Sequence, residues 1–337
     1  MRALVIAVTV GMVGCIPAPP EYPSSAQWSK REHRFVNPPS WPSRVEGAEV
    51  LKWWLGGRPH MTPRFRPPFR VNDGLELRAN HSRTSVTWIG HATMLIQLGG
   101  VNILTDPIFS DGILGVIARR APPGVLLGRL PHIDLVVISH NHPDHLDAPT
   151  VDGLPADTHY VVGLGGAAWF RARGRLNVTE LDWWQSMQIV VRGRPMTVTM
   201  VPAQHWSQRP LVGRNRVLWG GYVFESAGLP RMYFAGDSGF PAAFPEVAAR
   251  FPSLDFAFLP IGAYEPRWFL HPQHMAPDEA AVAFRQLGAK TFVPIHWGTF
   301  HLSDEPMDEP PAALYRAMGK DANHILFLPV GGSWYSE

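Results

Sequence analysis

Cysteine is all but missing. Cys15 is the only one in 337 residues, so no disulfide can close within the chain. An excess of charge is missing as well: 30 Lys and Arg stand against 28 Asp and Glu, a net of +2. With no basic run or arginine stripe, nucleic acid is a poor partner. The apolar stretch over residues 3–14 also falls short of the roughly 20 residues that a membrane-spanning helix needs. What the chain has in plenty is proline (34) and tryptophan (13). The prolines imply many ordered loops, where binding and catalytic groups concentrate. The tryptophans suit a core, and they also suit a lipid interface. The length permits one large domain or two fused half-domains.

The lone cysteine is informative by its position. Arg2 precedes the apolar stretch, and Cys15 follows Gly14 directly. A positive start and a short apolar run ending in a small residue read as a secretory signal. Met12-Val13-Gly14-Cys15 resembles a bacterial lipobox, which makes Cys15 the lipidated first residue of a mature lipoprotein. An ordinary signal peptide with a chance cysteine is the alternative. The expected division is a signal peptide over 1–14, a lipidated tether and N-terminal arm over 15–80, and the main folded domain over 81–337. The expected place is a bacterial cell envelope, lipid-anchored at the outer membrane and facing the periplasm.

The chemistry centres on Ser139-His140-Asn141-His142-Pro143-Asp144-His145-Leu146-Asp147. The apolar run 133–138 feeds into it, and length and β-branching make that run a buried strand. Three imidazoles and a carboxylate therefore crowd a loop at a strand end, where packing gives them no reason to be. His140 and His142 are two apart, so in extended chain they face one side and can share an ion. Asp144 and His145 follow a proline-driven bend and can face a second ion. Nitrogen and oxygen ligands without thiolate suit zinc, with iron and manganese also open. Three further strands end in a possible ligand: His205, Asp237 and His296. Strand ends can converge on one edge of packed sheets.

Strands are expected at 85–89, 93–98 and 101–105, a meander turning at Gly99-Gly100. Further strands are expected at 158–163, 177–181, 188–191, 197–202, 218–225, 231–235, 256–260 and 291–295. Helices are expected at 165–173, 242–251, 277–287 and 311–318, with 325–328 closing the domain. Proline and two carboxylates at Pro277-Asp278-Glu279 suit a helix start. A short helix is expected around Trp53. Residues 108–130 set apolar groups beside arginines, and two readings stay open: a lid or lipid-touching loop, and ordinary loop packing.

At the histidine motif the sequence resembles the metallo-β-lactamase superfamily, whose signature is H-x-H-x-D-H. The neighbouring Trp88-Ile89-Gly90-His91-Ala92-Thr93, Thr105-Asp106-Pro107, Leu181-Asp182-Trp183-Trp184, Ala235-Gly236-Asp237 and Ile295-His296-Trp297-Gly298 look like one branch of it. That branch is the N-acyl-phosphatidylethanolamine-hydrolysing phospholipase D family, with RomA-type outer-membrane proteins among its bacterial members. The resemblance runs from about residue 41 to 330. It implies a mixed α/β, four-layer αββα sandwich, which periodicity alone does not select over other mixed folds.

The resemblance also implies two zinc ions. His140, His142 and His205 would hold one, Asp144, His145 and His296 the other, and Asp237 would bridge them. A hydroxide between the ions is then the nucleophile, with Asp144 orienting or deprotonating the water. His274 matches a family histidine near the site and is the candidate for binding phosphate or protonating the leaving oxygen, with His271 as its competitor. His91 and Asp106 are candidate orienters of ligands, and Asp147 is expected to be structural. Tyr264, Glu265, Arg267 and Trp268 are candidates to line the pocket, and His301 has no assigned role. The implied reaction cleaves N-acyl-phosphatidylethanolamine to phosphatidic acid and an N-acylethanolamine. The implied partners are a phospholipid substrate, a membrane surface reached through Cys15, and a second copy in a homodimer. Hydrolysis of another ester, a lactone or a sugar phosphate, is the alternative. A non-catalytic envelope lipoprotein is a third reading, against which the complete ligand set argues.

Overall fold

The computed structural model describes residues 20–42, 53, 55–56, 65–210, 212–240 and 243–337. Cys15 and the signal stretch lie outside the described residues. Of the short helix expected around Trp53, only Trp53 and Leu55 are described as helical.

Two sheets stack face to face. The first has seven strands: β1 Ser85–Gly90, β2 Thr93–Leu98, β3 Val101–Thr105, β4 Leu135–Val137, β5 His159–Gly163, β6 Val178–Leu181 and, from the C-terminus, Ser333–Tyr335. Ser333–Tyr335 pairs antiparallel with β1, while β3, β4, β5 and β6 run parallel. The second sheet has six: β7 Ser186–Val191, β8 Arg194–Val201, β9 Gly221–Glu225, β10 Met232–Phe234, β11 Phe256–Pro260 and β12 Thr291–Ile295, neighbours in that order. Its last three run parallel.

The strands read as unbroken apolar runs because both faces are buried. In the first sheet Val86, Trp88, Met94, Ile96, Ile103, Leu135, Val137 and Val161 face the second sheet's Met196, Val198, Tyr222, Phe224 and Phe234. The alternate positions Ile89, Leu95, Leu104, Val136, Tyr160 and Val162 face outward. There they meet Val151 of the helix Ala148–Gly153 and Phe170 of the helix Ala167–Arg171. This is period-2 alternation with apolar groups on both sides. Outside the second sheet lie the helices Phe244–Arg250, Pro277–Leu287 and Glu309–Met318. The result is the αββα sandwich.

The differences from expectation have local causes. The run 133–138 gives only three ladder residues, because Ile138 and Ser139 leave the strand toward Asp106, whose Oδ1 accepts from Ser139 N at 2.7 Å. Residues 218–220 stand outside β9, since Leu218 N bonds Leu164 O and Gly220 N bonds Ser139 O across to the other sheet. Residues 325–328 contribute one bridge, Ile325 to Phe292, and the closing strand comes later, at Ser333–Tyr335. Its three residues follow Gly331-Gly332 and carry too little pattern to be read from sequence.

The arm is packed onto the body. Tyr22, Trp28 and Phe35 form an aromatic cluster, and Trp41 stacks on Trp183 at 5.7 Å. In the 108–130 segment, Gly112–Ile113 and Ile117–Ala118 form a small hairpin. Ile113 and Ile117 pack with Ile108 and Phe300, while Leu114 and Val116 at the tip are exposed. The base of this segment is ordinary packing. Among the described residues no helix is long and apolar enough to cross a membrane.

Candidate metal centre

Four strand ends meet at one edge of the sandwich. β4 leads to His140, His142, Asp144 and His145, β8 to His205, β10 to Asp237, and β12 to His296. His296 (φ 60°) and the nearby His91 (φ 55°) and Asp106 (φ 35°) hold left-handed backbone conformations. Such strain in side-chain-bearing residues gathers at functional sites. It turns these side chains inward directly after their strands.

All seven residues expected to hold metal come together around Asp237. Its Oδ2 lies 3.2 Å from His145 Nε2 and His296 Nε2, and 3.9 Å from His140 Nε2, His205 Nε2 and His274 Nδ1. Two clusters flank it. In one, His142 Nδ1 is 2.8 Å from His140 Nε2 and 3.3 Å from His205 Nε2. In the other, Asp144 Oδ2 is 3.4 Å from His145 Nε2 and 3.7 Å from His296 Nε2. Both clusters have the ligand-atom spacing of a metal site.

Hydrogen bonds set the ring tautomers. His145 Nδ1–H donates to Asp106 Oδ2 at 2.7 Å, and Ser139 Oγ–H donates to the same oxygen at 2.5 Å. With its proton so placed, Ser139 Oγ accepts from His140 Nδ1–H at 2.9 Å. His205 Nδ1–H donates to the Gln273 carbonyl at 2.9 Å. Each of the three rings thereby commits Nδ1 and turns Nε2 into the centre, the arrangement that fixes a metal-ligating histidine. His91 Nε2–H donates to Asp144 Oδ2 at 3.0 Å. Asp106 and His91 are therefore orienters, and Asp147 is structural: it caps the helix Ala148–Gly153 and accepts from Ser110 Oγ.

The residues present fit divalent cations. His142 Nε2, His145 Nε2, Asp237 Oδ1, His274 Nδ1 and both ring nitrogens of His296 are buried with no hydrogen-bond partner. That many orphaned polar atoms in one place is costly unless an ion takes their lone pairs. In the metal-free protein the carboxylates of the group keep protons on two of the imidazoles beside them. Burial pulls the His296 imidazole down, but Asp237 and Asp144 outweigh it and hold the ring at about 9. His145 is raised in the same way, by Asp237, Asp144 and Asp106. Burial pushes Asp237 up, and His145 and His296 outweigh it, leaving the carboxylate ionised. His142, His205 and His274 are lowered to about 3 by burial.

His142, Asp144 and His274 are the half-buried members of the group, so they form its open face. His271 turns away from it, 2.9 Å from Glu279, which removes it as a competitor of His274. The residues expected to line the pocket, 264–268, have contacts of their own. Tyr264 bonds Glu309, Arg267 pairs with Glu279 at 2.7 Å, and Trp268 is largely exposed. Glu309 and Glu279, both on helices that follow, hold Tyr264 and Arg267, and Arg267 Nη1 also donates to the His274 carbonyl at 3.5 Å. Sequence reading missed Ser139 and Gln273 as orienters. Ser139 adjoins the motif and was legible in principle, whereas Gln273 acts through its backbone carbonyl and leaves no side-chain signal.

Residues 101–297 match the family model described as a beta-lactamase superfamily domain. An N-acyl-phosphatidylethanolamine-hydrolyzing phospholipase D from Caenorhabditis elegans is 33% identical over 85% of this chain and 91% of its own length. The mitochondrial enzyme of that name from Saccharomyces cerevisiae is 34% identical over 68% of this chain and 50% of its own. A metallo hydrolase from the archaeon Ignicoccus hospitalis shares the fold with a TM-score of 0.58, at 20% identity, over 76% of this chain and 99% of its own. With the strand-end ligand geometry beside them, these matches make the chain a metal-dependent hydrolase of the metallo-β-lactamase superfamily, in its N-acyl-phosphatidylethanolamine phospholipase D-like branch.

Proposed function

We propose that this hydrolase cleaves the phosphodiester of a membrane phospholipid, N-acyl-phosphatidylethanolamine, to phosphatidic acid and an N-acylethanolamine. The observation that carries the two-ion reading is Asp237 Oδ2 standing within 3.2–3.9 Å of five imidazole nitrogens. His140, His142 and His205 would hold one zinc and Asp144, His145 and His296 the other, with Asp237 between them. Two such ions lower the pKa of bound water and neutralise charge growing on a phosphoryl oxygen. Asp144, on the open face and hydrogen-bonded by His91, would take the proton of the attacking water. His274 is neutral at pH 7, being lowered to about 3 by burial. A neutral ring suits hydrogen bonding to a phosphoryl oxygen better than delivering a proton to the leaving group. The names of the worm and yeast relatives support the substrate. Anchoring through a lipidated Cys15 would keep the enzyme at the envelope surface where such a lipid resides, and a homodimer there is part of the same proposal.

The test is metal analysis with N-acyl-phosphatidylethanolamine in mixed micelles. The expected result is about two zinc per chain and release of N-acylethanolamine that vanishes in His142→Ala. Two bound metals without that release would remove the substrate and leave another ester, a lactone or a sugar phosphate, as the object of the site.

A further inference from the structure

We propose that Asn37, in the N-terminal arm and about 170 positions from the ligand in sequence, is a positioning residue for His205; the inference rests on His205 being a metal ligand. Asn37 Nδ2 donates to the His205 carbonyl at 2.9 Å. The amide cannot be the other way round, because Trp219 Nε1–H donates to Asn37 Oδ1 at 3.2 Å. The same indole N–H is shared with the Ala203 carbonyl at 3.0 Å, so Trp219 ties the arm to the end of β8 just before His205. His205 is thus held at both ends: its ring by the Gln273 carbonyl and its backbone by Asn37.

The loop after His205 has a second tie to the arm. Phe35 N donates to the Asn215 carbonyl at 2.9 Å, and Asn215 Nδ2 donates to the Phe35 carbonyl at 3.1 Å. Asn215 Oδ1 in turn accepts from Ser207 N at 3.1 Å. The loop carrying His205 therefore has ties to the arm beside its ties to the body, where Gln204 N donates to Ser238 Oγ at 3.0 Å and Gly239 N donates to the Gln204 carbonyl at 2.8 Å. The ring of this ligand is oriented from the body, and the carbonyl of its own residue is held from the arm. Replacing Asn37 by aspartate keeps the acceptor for Trp219 and the shape. It turns a carboxylate oxygen onto the His205 carbonyl, which pushes the loop away from the cluster with His140 and His142.

The experiment strips the purified full chain of metal and titrates it with cobalt(II), following the visible absorption, alongside thermal unfolding of the metal-free forms. Wild type should take up two ions. Asn37→Asp should keep one and bind the other about 10–100-fold more weakly, as outer-shell changes do, and Asn37→Ala should weaken the same ion by about 10-fold. Trp41→Ala removes the stack on Trp183 and loosens the arm without touching His205. It should lower the thermal midpoint and leave both ions in place. Two cobalt ions at wild-type affinity in Asn37→Asp would overturn the proposal alone. Equal weakening by Trp41→Ala would overturn it in favour of general packing. Fewer than two ions in wild type would overturn the ligand reading and the proposal with it.

Discussion

His145 Nδ1 and Asp106 Oδ2 lie 2.7 Å apart, and both side chains are wholly excluded from solvent. The carboxylate accepts three bonds in all, from His145, from Ser139 Oγ and from Ser139 N. In Asp106→Asn the amide group must face either two donors or a backbone N–H. The least costly escape leaves the His145 proton on Nε2, where it blocks the metal. Binding of the ion beside His145 should weaken about 10–100-fold, read by competition with a chromophoric chelator. Wild-type affinity in that variant would show that Asp106 does not set the tautomer.

His274 differs from the metal ligands in the outcome it predicts. Its Nδ1 is 3.9 Å from Asp237 Oδ2, and the ring belongs to the open face. His274→Gln should retain two metals and a normal thermal midpoint, while kcat falls about 10²–10³-fold, as when one donor to a developing oxyanion is lost. Loss of a metal ion from this variant would instead make His274 a ligand.

Much of this site could be read from the chain because its ligands follow strand ends with strong apolar patterning. The motif after β4 is contiguous, and His205, Asp237 and His296 each stop a recognisable buried strand. The second sheet's parallel strands β11 and β12 were placed to the residue for the same reason. The parts that stayed hidden are those whose role depends on position in space. Gln273 works through a carbonyl, and Asn37 reaches His205 from a proline-rich arm with no period. Tyr264 and Arg267 follow β11, which reads as a route to the pocket, but their partners on later helices, Glu309 and Glu279, decide where they point.

The metal-free protein should have its greatest stability near neutral pH. His91, His142, His205 and His274 are lowered from 6.5 to about 3 by burial. Below 6.5 the unfolded chain takes up protons that the folded form refuses, so their contribution is present above 6.5 and lost as pH falls toward 3. Each such group can cost up to about 1.4 kcal/mol per pH unit. His296, raised to about 9, works in the opposite direction: its contribution is full below 6.5 and lost as pH rises through 9. Urea midpoints with chelator present should therefore fall on both sides of neutrality. With metal bound, the alkaline decline should disappear, since the ligating rings then carry no proton. A flat acid limb between pH 5 and 7 would contradict the buried neutral histidines.

Metal uptake should release protons from the histidines themselves. At pH 7 the metal-free His296, held at about 9, and His145, raised by Asp237, Asp144 and Asp106 against the pull of burial, both carry a proton on the ring. Neither can offer a lone pair until that proton leaves. Loading both ions should release about two protons per chain from these rings, beyond any released by bound water. Calorimetric titration of the metal-free protein with zinc, in two buffers of different ionisation enthalpy, gives the number directly. Apparent affinity should also rise with pH between 6.5 and 9, as His296 gives up its competing proton. No buffer dependence at pH 7 would mean that Asp144 and Asp237 do not hold these two histidines charged, and that the site awaits its ions with its rings already neutral.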